Sequence, residues 1–316
     1  METNIRLSVI IPNRNRRNTL RRVLAALEEQ TLPRDYFEVI VVDDHSTDGT
    51  PDMLEEYGKS TPLDFTWLKG QGRGAGAARN TGLAAARGNY VVFLDADTIP
   101  KSDVLGLHLQ WQVHFGSRVC ILGRVSMSEA VRTPEQGRIG DTETRFDHLP
   151  IAELEWQDYR AANTSMERSA ALAAGGFDET LPAAEDTEFS SRLVLQGMRF
   201  IYISDIVAVH HHPLTVEGYF RKGQVYGEAV YRWYRKSPEL RKLLVQRYGV
   251  LAPEQHWTKK LKYFIRGLVV NRVTAPWIVA AGKSIRHIQL EASHRLYEIV
   301  FRYHLRRAFR MNYRSA

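Results

Sequence analysis

The sequence predicts an α/β protein with a mostly parallel, doubly wound central sheet over roughly its first hundred residues. Continuous apolar runs at 7–12, 37–42 and 90–94 are typical of strands that are buried on both faces. Between the first two runs, apolar residues recur with the period of an amphipathic helix. Strands that alternate with helices in this way form parallel sheets, because each helix returns the chain to the same edge of the sheet.

The predicted elements follow in chain order. The first helix is indicated by apolar side chains at i, i+3, i+4 and i+7, which are Leu20, Val23, Leu24 and Leu27. The run Thr50-Pro51-Asp52 combines an N-cap residue, a proline for the first helical position and a first-turn acid, so it predicts a short helix over 50–57. A strand at 65–68 leads into a glycine-rich loop, and a helix at about 75–86 precedes the strand at 90–94.

After Pro100 the pattern is mixed. We predict a strand at 119–125, a polar loop region at 133–150, helices at 169–174 and 185–196, and two strands at 200–203 and 206–209 that flank a turn. From Thr215 onward the sequence is helical and basic, with an apolar face formed by Tyr219, Val225, Tyr226, Val230, Trp233 and Tyr234.

Composition excludes several protein classes. The 316 residues include 44% hydrophobic and 25% charged side chains, which is ordinary for a globular enzyme. Cys120 is the only cysteine, so a disulfide framework or a cysteine-rich zinc site within one chain is excluded. No secretory signal is visible at the start, and the apolar stretch at 268–282 is shorter than the roughly 20 residues of a membrane span. We therefore expect a cytoplasmic protein, either free or at the inner face of the cell membrane.

The net charge of +7 is distributed unevenly along the chain. Residues 213–316 contain 21 Lys and Arg against 6 Asp and Glu, which leaves 22 basic and 30 acidic residues for positions 1–212. A basic helical tail suits an anionic membrane surface, an acidic acceptor or nucleic acid. A solvated tail or an oligomer contact explains the same charge equally well, and the sequence does not predict the oligomeric state.

Acids or special turns follow three of the predicted strands, at Pro12–Asn15, Asp43–Ser46 and Asp95–Asp97. Ligands of open parallel sheets bind beyond the carboxyl ends of the strands. Two carboxylates separated by one residue, as in Asp95-Ala96-Asp97, provide the hard oxygen ligands that Mg²⁺ or Mn²⁺ prefers when it bridges phosphates. Taken alone, a solvated Asp turn accounts for this pattern as well.

Six ordered sequence blocks resemble glycosyltransferase family 2. The blocks are Val9-Ile10-Ile11-Pro12-x-x-Asn15, Val41-Val42-Asp43-Asp44-x-Ser46-x-Asp48-x-Thr50, Ala78-Arg79-Asn80-x-Gly82, Phe93-Leu94-Asp95-Ala96-Asp97, Gly175-Gly176-Phe177-Asp178-Glu179 and Glu185-Asp186, within about residues 7–227. The resemblance implies the GT-A fold, with a Rossmann-like, mostly parallel sheet flanked by helices and a basic helical C-terminal extension. It places a GT-A catalytic domain at 1–235, divided into a nucleotide-binding half at 1–100 and an acceptor-binding half at 101–235, with the extension at 236–316.

The resemblance also implies a role for each matching residue. Asp44 would accept from the nucleobase, and the rest of the donor site would be formed by Pro12, Arg14, Asn15, Asp43, Arg79, Asn80, Asp95 and Ala96. Asp43 serves the local turn in an alternative interpretation. The metal, Mn²⁺ or Mg²⁺, would be bound by Asp95, Asp97 and His210, with His212 as the substitute and a polar strand end as the alternative explanation.

In the acceptor half, the resemblance assigns Asp186 as the catalytic base and Glu185 as a supporting or acceptor-binding acid. First-turn acids that stabilise a helix are the competing explanation for these carboxylates. The segments that shape the sugar and acceptor sites include Asn163, Gly176 and Phe177. Trp156 is either a stacking platform for a sugar ring or a core residue.

The predicted reaction is a metal-dependent, inverting transfer of a hexose-type sugar from a nucleotide-diphosphate sugar, with UDP favoured, to a glycan or lipid-linked acceptor. We expect a role in cell-surface polysaccharide or glycolipid synthesis and no nucleic-acid partner. Two alternatives are a sugar-phosphate nucleotidyltransferase and a non-catalytic nucleotide- or nucleic-acid-binding module. The glycine-rich loop at 70–76 does not match a dinucleotide fingerprint, because it follows the third strand and lacks the G-x-G-x-x-G arrangement with its acid.

Overall fold

The computed structural model describes residues 5–131, 146, 149–213, 215–250, 269–285 and 290–314. Within these residues the chain forms two compact units. The first unit contains the described residues up to 179 together with 185–212, and the second contains 180–184 and the described residues after 212. The predicted polar loop region at 133–150 lies mostly outside the described residues.

A nine-stranded sheet forms the centre of the first unit. Its strands are β1 (Leu7–Asn13), β2 (Phe37–Asp43), β3 (Asp64–Lys69), β4 (Tyr90–Leu94), β5 (Thr98–Pro100), β6 (Val119–Met127), β7 (Ile151–Leu154), β8 (Asn163–Glu167) and β9 (Arg199–His210). Their order is β3-β2-β1-β4-β8-β6-β9-β5, with β7 beside β9. Strands β1 to β4 are parallel, β8 runs antiparallel between β4 and β6, and β5 and β7 are antiparallel to β9.

Helices cover the sheet and form most of the second unit. Those of the first unit are α1 (Arg17–Glu28), α2 (Thr50–Ser60), α3 (Ala75–Ala85), α4 (Val104–Phe115), α5 (Arg168–Ala173) and α6 (Glu185–Leu195). Those of the second unit are α7 (Val216–Lys236), α8 (Arg241–Tyr248), α9 (Thr274–Ile285) and α10 (Leu290–Arg314). In the part of the chain that the structure describes, no helix has the length and apolar character needed to cross a bilayer.

The parallel strands are continuously apolar because they are buried on both faces. Val9 and Ile11 of β1 pack into one core cluster, together with the apolar face of α1, whereas Ile10 between them packs into a second cluster. All three side chains are fully buried. This alternation is the geometry that a strand covered by helices on both sides requires.

One sequence prediction is wrong in the later strands. The segments 200–203 and 206–209 are a single strand, β9, and the intervening Ser204 and Asp205 lie in an irregularity of its pairing with β6. Gly123 is paired with Ile203 while the next residue, Arg124, is paired with Val207. The polar residues therefore mark a bulge within a strand rather than a turn between two strands.

Aromatic side chains dominate the packing of the second unit. Trp233 on α7 and Tyr297 on α10 are buried, and the rings of Tyr219 and Phe301 stack at 4.5 Å between centroids. Helix α7 extends past residue 235 and lies in this unit. The boundary of the catalytic domain at 235 stays a prediction.

Candidate active site

The turn after β4 brings Asp97 next to His210 at the end of β9. Asp97 Oδ1 lies 3.5 Å from Nε2 of His210. The backbone fixes this pair, since Thr98 is paired with His210 and the carbonyl of Asp97 accepts from the His211 amide at 2.7 Å. Two predicted metal ligands that are 113 residues apart in the sequence therefore face one another.

Arg16, which the sequence analysis did not select, contacts the same corner. Its Nε lies 3.4 Å from Asp97 Oδ2, and its terminal nitrogen lies 3.2 Å from Nε2 of His212. Burial, together with the nearby Arg16 charge, lowers the pKa of His212. The neutral ring accepts from the guanidinium, so His212 is engaged with Arg16 while His210 faces Asp97.

The donor atoms at this corner fit a divalent cation. Asp97 offers carboxylate oxygens and His210 an imidazole, and Nδ1 of that ring is buried without a hydrogen-bond partner. Oxygen and imidazole ligands suit Mn²⁺, and a nucleotide diphosphate supplies further oxygens. Within the described residues, no group of three or more His, Cys, Asp or Glu side chains meets at one point. A metal here would therefore depend on ligands from the donor or from water.

Arg79 joins the acidic turn after β4 to the acidic start of α6. The guanidinium donates to Asp95 Oδ1 and to Glu185 Oε1, each at 2.8 Å, and the Arg79 side chain is only 6% exposed. Its guanidinium carbon, Cζ, lies 5.3 Å from the centre of the Phe177 ring, which packs against it. Residues from α3, from the turn after β4 and from α6 thus meet at one buried cation.

Burial and charge compete within this bridge. Burial raises the pKa of Asp95, and the Arg79 charge opposes that rise. The same two causes act on Glu185, where burial again dominates and Asp186 adds to the increase in pKa. Burial by itself lowers the pKa of Arg79, but the three carboxylates outweigh it, so the guanidinium stays protonated.

Asp186 lies beside the bridge at the start of α6. Its Oδ1 accepts from the amide of Thr187 at 2.7 Å and lies 3.3 Å from the Thr187 hydroxyl. Arg79 binds Glu185 directly and acts on Asp186 only through its charge. Of the two predicted catalytic carboxylates, Asp186 is therefore the one that is not paired with a cation.

Asp43 and Asp44, adjacent in sequence, have different partners. Asp43 accepts from the side-chain amide of Asn13 at 2.9 Å and from the backbone amide of Ser46 at 3.1 Å, so it organises the turn that follows β2. The two oxygens of Asp44 instead accept from the backbone amides of Gly72 and Gly74, at 2.6 and 2.8 Å. The glycine-rich loop therefore closes over the Asp44 carboxylate.

Glycine is required where this loop approaches Asp44. A Cβ atom at Gly70 would lie 2.6 Å from Asp44 Oδ1 and 3.0 Å from its Cα atom, which is closer than real Cβ atoms come. Gly74 has a backbone φ of 94°, a conformation that residues other than glycine rarely adopt. Gly70 thus has a steric role beside the Asp44 carboxylate and Gly74 a conformational one, in agreement with the absence of a dinucleotide fingerprint.

The other residues predicted near the nucleotide lie around this turn. Asn15 has a φ of 52°, and its Oδ1 accepts from the Thr47 amide at 2.7 Å, so it stabilises the loop conformation. Pro12 is half-buried in β1, and Arg14 is exposed directly after that strand. Ala96 is buried and belongs to a core cluster.

Asn80 connects α3 to the loop before α6. Its amide donates to the Phe177 carbonyl and to Glu179, both at 2.9 Å, and its Oδ1 accepts from the Phe177 amide at 2.8 Å. A Cβ atom at Gly176 would lie 2.4 Å from that Oδ1. Both ends of the Asn80 amide are thus used in fixing the Gly176–Phe177 backbone, and the Phe177 ring contacts Arg79 in turn.

Two of the residues predicted for the sugar and acceptor site contact the interior instead. Asn163 is 2% exposed, and its amide bonds to His108 and to backbone carbonyls of β6 and β9. Trp156 packs against the core cluster that contains Phe177, which corresponds to the core alternative for that side chain.

Comparison with known proteins assigns the family. A family model described as Glycosyl transferase family 2 matches residues 8–162. The chain belongs to glycosyltransferase family 2. The family predicted from the six sequence blocks is confirmed, and this match covers the turns that contain Asp44, Asp95 and Asp97.

Relatives of this family 2 glycosyltransferase come from several bacteria. The uncharacterized glycosyltransferase YfnE of Bacillus subtilis is 28% identical over 259 residues, which cover 66% of this chain and 66% of that protein. The poly(ribitol-phosphate) beta-N-acetylglucosaminyltransferase TarS of Staphylococcus aureus is 29% identical over 203 residues, which cover 64% of this chain and 34% of TarS. This chain therefore spans between about one third and two thirds of the length of these relatives.

Solved structures confirm the GT-A fold of the family 2 glycosyltransferase. The mannosyltransferase PcManGT from Pyrobaculum calidifontis, in complex with GDP-Man and Mn²⁺, has a TM-score of 0.65 at 23% identity and covers 98% of this chain and 87% of its own. The TarS 1–349 structure from S. aureus with UDP-GlcNAc has a TM-score of 0.58 at 19% identity, with 98% and 92% covered. At these identities the likeness establishes the fold alone.

Proposed function

We propose that this protein transfers a hexose-type sugar from a nucleotide-diphosphate sugar to an acceptor hydroxyl, with inversion at the anomeric carbon. The observation that carries the proposal is the Arg79 bridge, which places the acidic turn after β4 beside the acidic start of α6 at two contacts of 2.8 Å. A donor-binding group and an acceptor-activating group must lie this close for a single displacement. Family membership supports the same reaction class.

Asp186 is the general base of the proposed reaction. An alcohol is a weak nucleophile until its proton is being removed, so a carboxylate has to accept that proton as the oxygen attacks. Glu185 is paired with Arg79, whereas Asp186 is engaged only by the first turn of its own helix. Asp186 accepts the acceptor proton, the acceptor oxygen bonds to the anomeric carbon from the face opposite the nucleotide, and the nucleoside diphosphate departs with its electron pair.

Asp97 and His210 would hold the divalent cation, and Asp95 would assist them. When bound, such a cation stabilises the negative charge that develops on the departing diphosphate. Arg16 orients Asp97 from the other side through its contact of 3.4 Å. His212 is bound to Arg16 and is therefore the weaker candidate for a ligand.

The nucleotide base binds at the turn that contains Asp44, whose carboxylate oxygens also accept from the Gly72 and Gly74 amides, and UDP is the proposed carrier. Asp43, Asn13 and Ser46 form a preorganised turn that presents the Asp44 backbone beside β1. The solved structures of TarS and PcManGT are complexes with UDP-GlcNAc and GDP-Man, respectively, which supports a nucleotide-sugar donor.

A donor screen tests the reaction and its metal requirement together. With Mn²⁺ present, we expect hydrolysis or transfer from one of the UDP-, GDP- or dTDP-sugars, without consumption of a nucleoside triphosphate.

Asp97→Asn should reduce Mn²⁺ affinity in the presence of UDP at least about tenfold, because a neutral amide replaces a charged oxygen ligand. Mn²⁺ titration followed by electron paramagnetic resonance measures this change.

Asp52→Asn is the matched control, because Asp52 is an exposed acid in the first turn of α2. It should leave Mn²⁺ affinity unchanged. Equal Mn²⁺ affinity in Asp97→Asn and wild type would contradict the metal assignment. Turnover that requires a nucleoside triphosphate would favour the nucleotidyltransferase alternative instead.

The acceptor is a glycan or lipid-linked glycan of the cell surface. The relatives with named substrates include the poly(ribitol-phosphate) enzyme TarS and the chondroitin synthase of Escherichia coli, which is 25% identical over 285 residues. Both names describe enzymes of extended polymers. The acceptor class proposed for this chain follows from that shared chemistry.

The second unit attaches the enzyme to an anionic membrane surface. Val269 and Val273, which precede α9, are 64% and 74% exposed, and Trp277 in the first turn of α9 is 75% exposed. Residues 255–290 include seven Lys and Arg and no Asp or Glu. Exposed apolar side chains in a basic segment are the combination that binds the interface of anionic lipids.

Vesicle cosedimentation tests this attachment. We expect binding to vesicles that contain phosphatidylglycerol, weaker binding at high salt, and none to phosphatidylcholine alone. Trp277→Ser should weaken binding about tenfold, since burying a large apolar side chain contributes roughly 1.5–3 kcal/mol. Leu195→Ser is the control because Leu195, at the end of α6, is 84% exposed in the other unit. Unchanged vesicle binding by Trp277→Ser, or preferential binding to nucleic acid, would refute the proposed surface.

A further inference from the structure

A buried polar cluster connects helix α4 to strand β8 of the central sheet. His108 and Gln112 lie one turn apart on α4, and Asn163 and Ser165 lie two residues apart on β8. These spacings place each pair on one face of its element. All four side chains are at most 2% exposed, so their polar atoms depend on each other for hydrogen bonds.

The partners of Asn163 fix the direction of its hydrogen bonds. Its Nδ2 donates to the carbonyl of Arg124 at 3.1 Å and to the carbonyl of Ile206 at 3.0 Å. Because carbonyls only accept, the amide oxygen faces the other way, toward Nε2 of His108 at 3.0 Å. That ring nitrogen must carry the proton, so His108 orients the Asn163 amide.

The remaining contacts agree with this tautomer. Nδ1 of His108 lies 2.9 Å from the Ser165 hydroxyl, which donates to it, and the Gln112 amide donates to the same hydroxyl at 2.9 Å. Burial lowers the pKa of His108 to about 4, so the ring stays neutral at neutral pH. The cluster therefore forms one directed chain of hydrogen bonds from α4 to the sheet.

The two carbonyls that Asn163 binds lie at the break in the pairing of β6 with β9. Pairing passes from Ile203 directly to Val207, so three residues of β9 are extra. Without them Val207 would lie opposite Met127, whereas His210 occupies that place. A Cβ atom at Gly123 would lie 2.2 Å from the Asn163 amide nitrogen, so the break and the amide fit only with glycine there.

We infer that the His108–Asn163 pair is the positioning element that brings His210 opposite Asp97. An odd number of extra residues moves the following side chains to the other face of a strand. The break in pairing therefore decides which side chain of β9 faces Asp97. Asn163 satisfies the carbonyls on both sides of that break, and His108 fixes the amide that does so. The inference rests on the proposed role of His210 in binding the metal.

The test compares two buried residues of the same helix. His108→Leu removes the donor to Asn163, and we expect Mn²⁺ affinity in the presence of UDP to fall about tenfold, the lower range for partners of metal ligands. His108→Gln retains an N–H for Asn163 and should restore most of that affinity. Gln112→Leu is the matched control, since it removes a contact to Ser165 but none to Asn163. Electron paramagnetic resonance reports Mn²⁺ binding, and circular dichroism melting confirms that each variant is folded.

The outcomes separate this inference from the proposed function. If wild type binds Mn²⁺ and His108→Leu binds it equally well, or if Gln112→Leu loses as much affinity as His108→Leu, the positioning role is refuted. If wild type with UDP does not bind Mn²⁺, the metal assignment fails and the inference fails with it. Should His108→Leu not fold, His108→Asn, which is too short to reach Asn163, replaces it under the same criteria.

Discussion

An Asp186→Asn variant is expected to lose transfer activity by about 10²–10⁴-fold in kcat, the contribution that a positioned general base makes. The amide keeps the shape of the carboxylate, and its oxygen still accepts from the Thr187 amide, but it does not remove a proton from the acceptor. Binding of UDP with Mn²⁺ should remain close to that of wild type, because Asp186 contacts neither Asp97 nor His210. Turnover measurements and nucleotide titration separate the two effects.

The matched control for this variant is Glu188→Gln, which alters another acid in the first turns of α6. Glu188 is paired with Arg192 through bonds of 2.6 and 2.7 Å and does not contact the Arg79 bridge. Its replacement should lower stability with little change in kcat at temperatures below unfolding. An Asp186→Asn enzyme with full turnover would eliminate Asp186 as the base.

Replacement of Arg79 by leucine should produce the second large effect. Asp95 and Glu185 would lose their shared cation, and the start of α6 would lose its link to the turn after β4. A displacement of about 1 Å at a reacting group costs on the order of 100-fold in rate, so we expect at least that loss in kcat. The free energy of unfolding should fall by about 3 kcal/mol, the lower range for removing one partner of a buried ion pair.

The stability of Arg79→Leu should also depend on pH more steeply than that of wild type. Burial already raises the pKa of Asp95 and of Glu185, and the variant lacks the charge that opposes this rise. A carboxyl whose pKa is higher in the folded state stabilises the fold below its unfolded pKa, and that contribution is lost as the pH rises. The deficit in melting temperature relative to wild type should therefore be larger at pH 8 than at pH 5.

Arg87→Leu provides a control of the same chemistry. Arg87 also binds two carboxylates, Glu38 at 2.8 Å and Asp64 at 2.7 Å, and Glu38 is 3% exposed. This variant should lose stability but retain activity, because the pair lies at the amino-terminal ends of β2 and β3. Equal losses of kcat in both variants would show that Arg79 acts only through stability.

The elements of the parallel half of the sheet could be predicted from the sequence because each has a local hydrophobic pattern. Helix α1 and strands β1, β2 and β4 have the expected periodicity, and each predicted range lies within a few residues of the observed one. Helix α4 and strand β8 were missed for one shared reason. Their buried faces carry His108, Gln112, Asn163 and Ser165, so polar residues that normally mark a surface lie in the interior, where they are linked to one another by hydrogen bonds.

Some residues of the candidate site could be predicted from the sequence, because the carboxyl ends of parallel strands meet at one edge of the sheet. That rule selected Asp44, Asp95 and Asp97, and the structure brings Asp97 to His210 and connects Asp95 to Glu185. It did not select Arg16, since an arginine after a strand has no periodic or motif signal of its own. The structural role of the Asn80 and Asn163 amides could not be predicted either, because most of their partners are backbone groups from distant segments.

The Arg79 bridge also contributes to the charge balance of the protein groups at the site. Four carboxylates, those of Asp95, Asp97, Glu185 and Asp186, surround two guanidinium groups, those of Arg16 and Arg79. With every group ionised, these six side chains carry a net charge of −2, and a diphosphate adds further negative charge. We therefore expect the nucleotide alone to bind weakly and the divalent cation to enter before it or with it, so that nucleotide affinity should rise with Mn²⁺ concentration until the site is saturated.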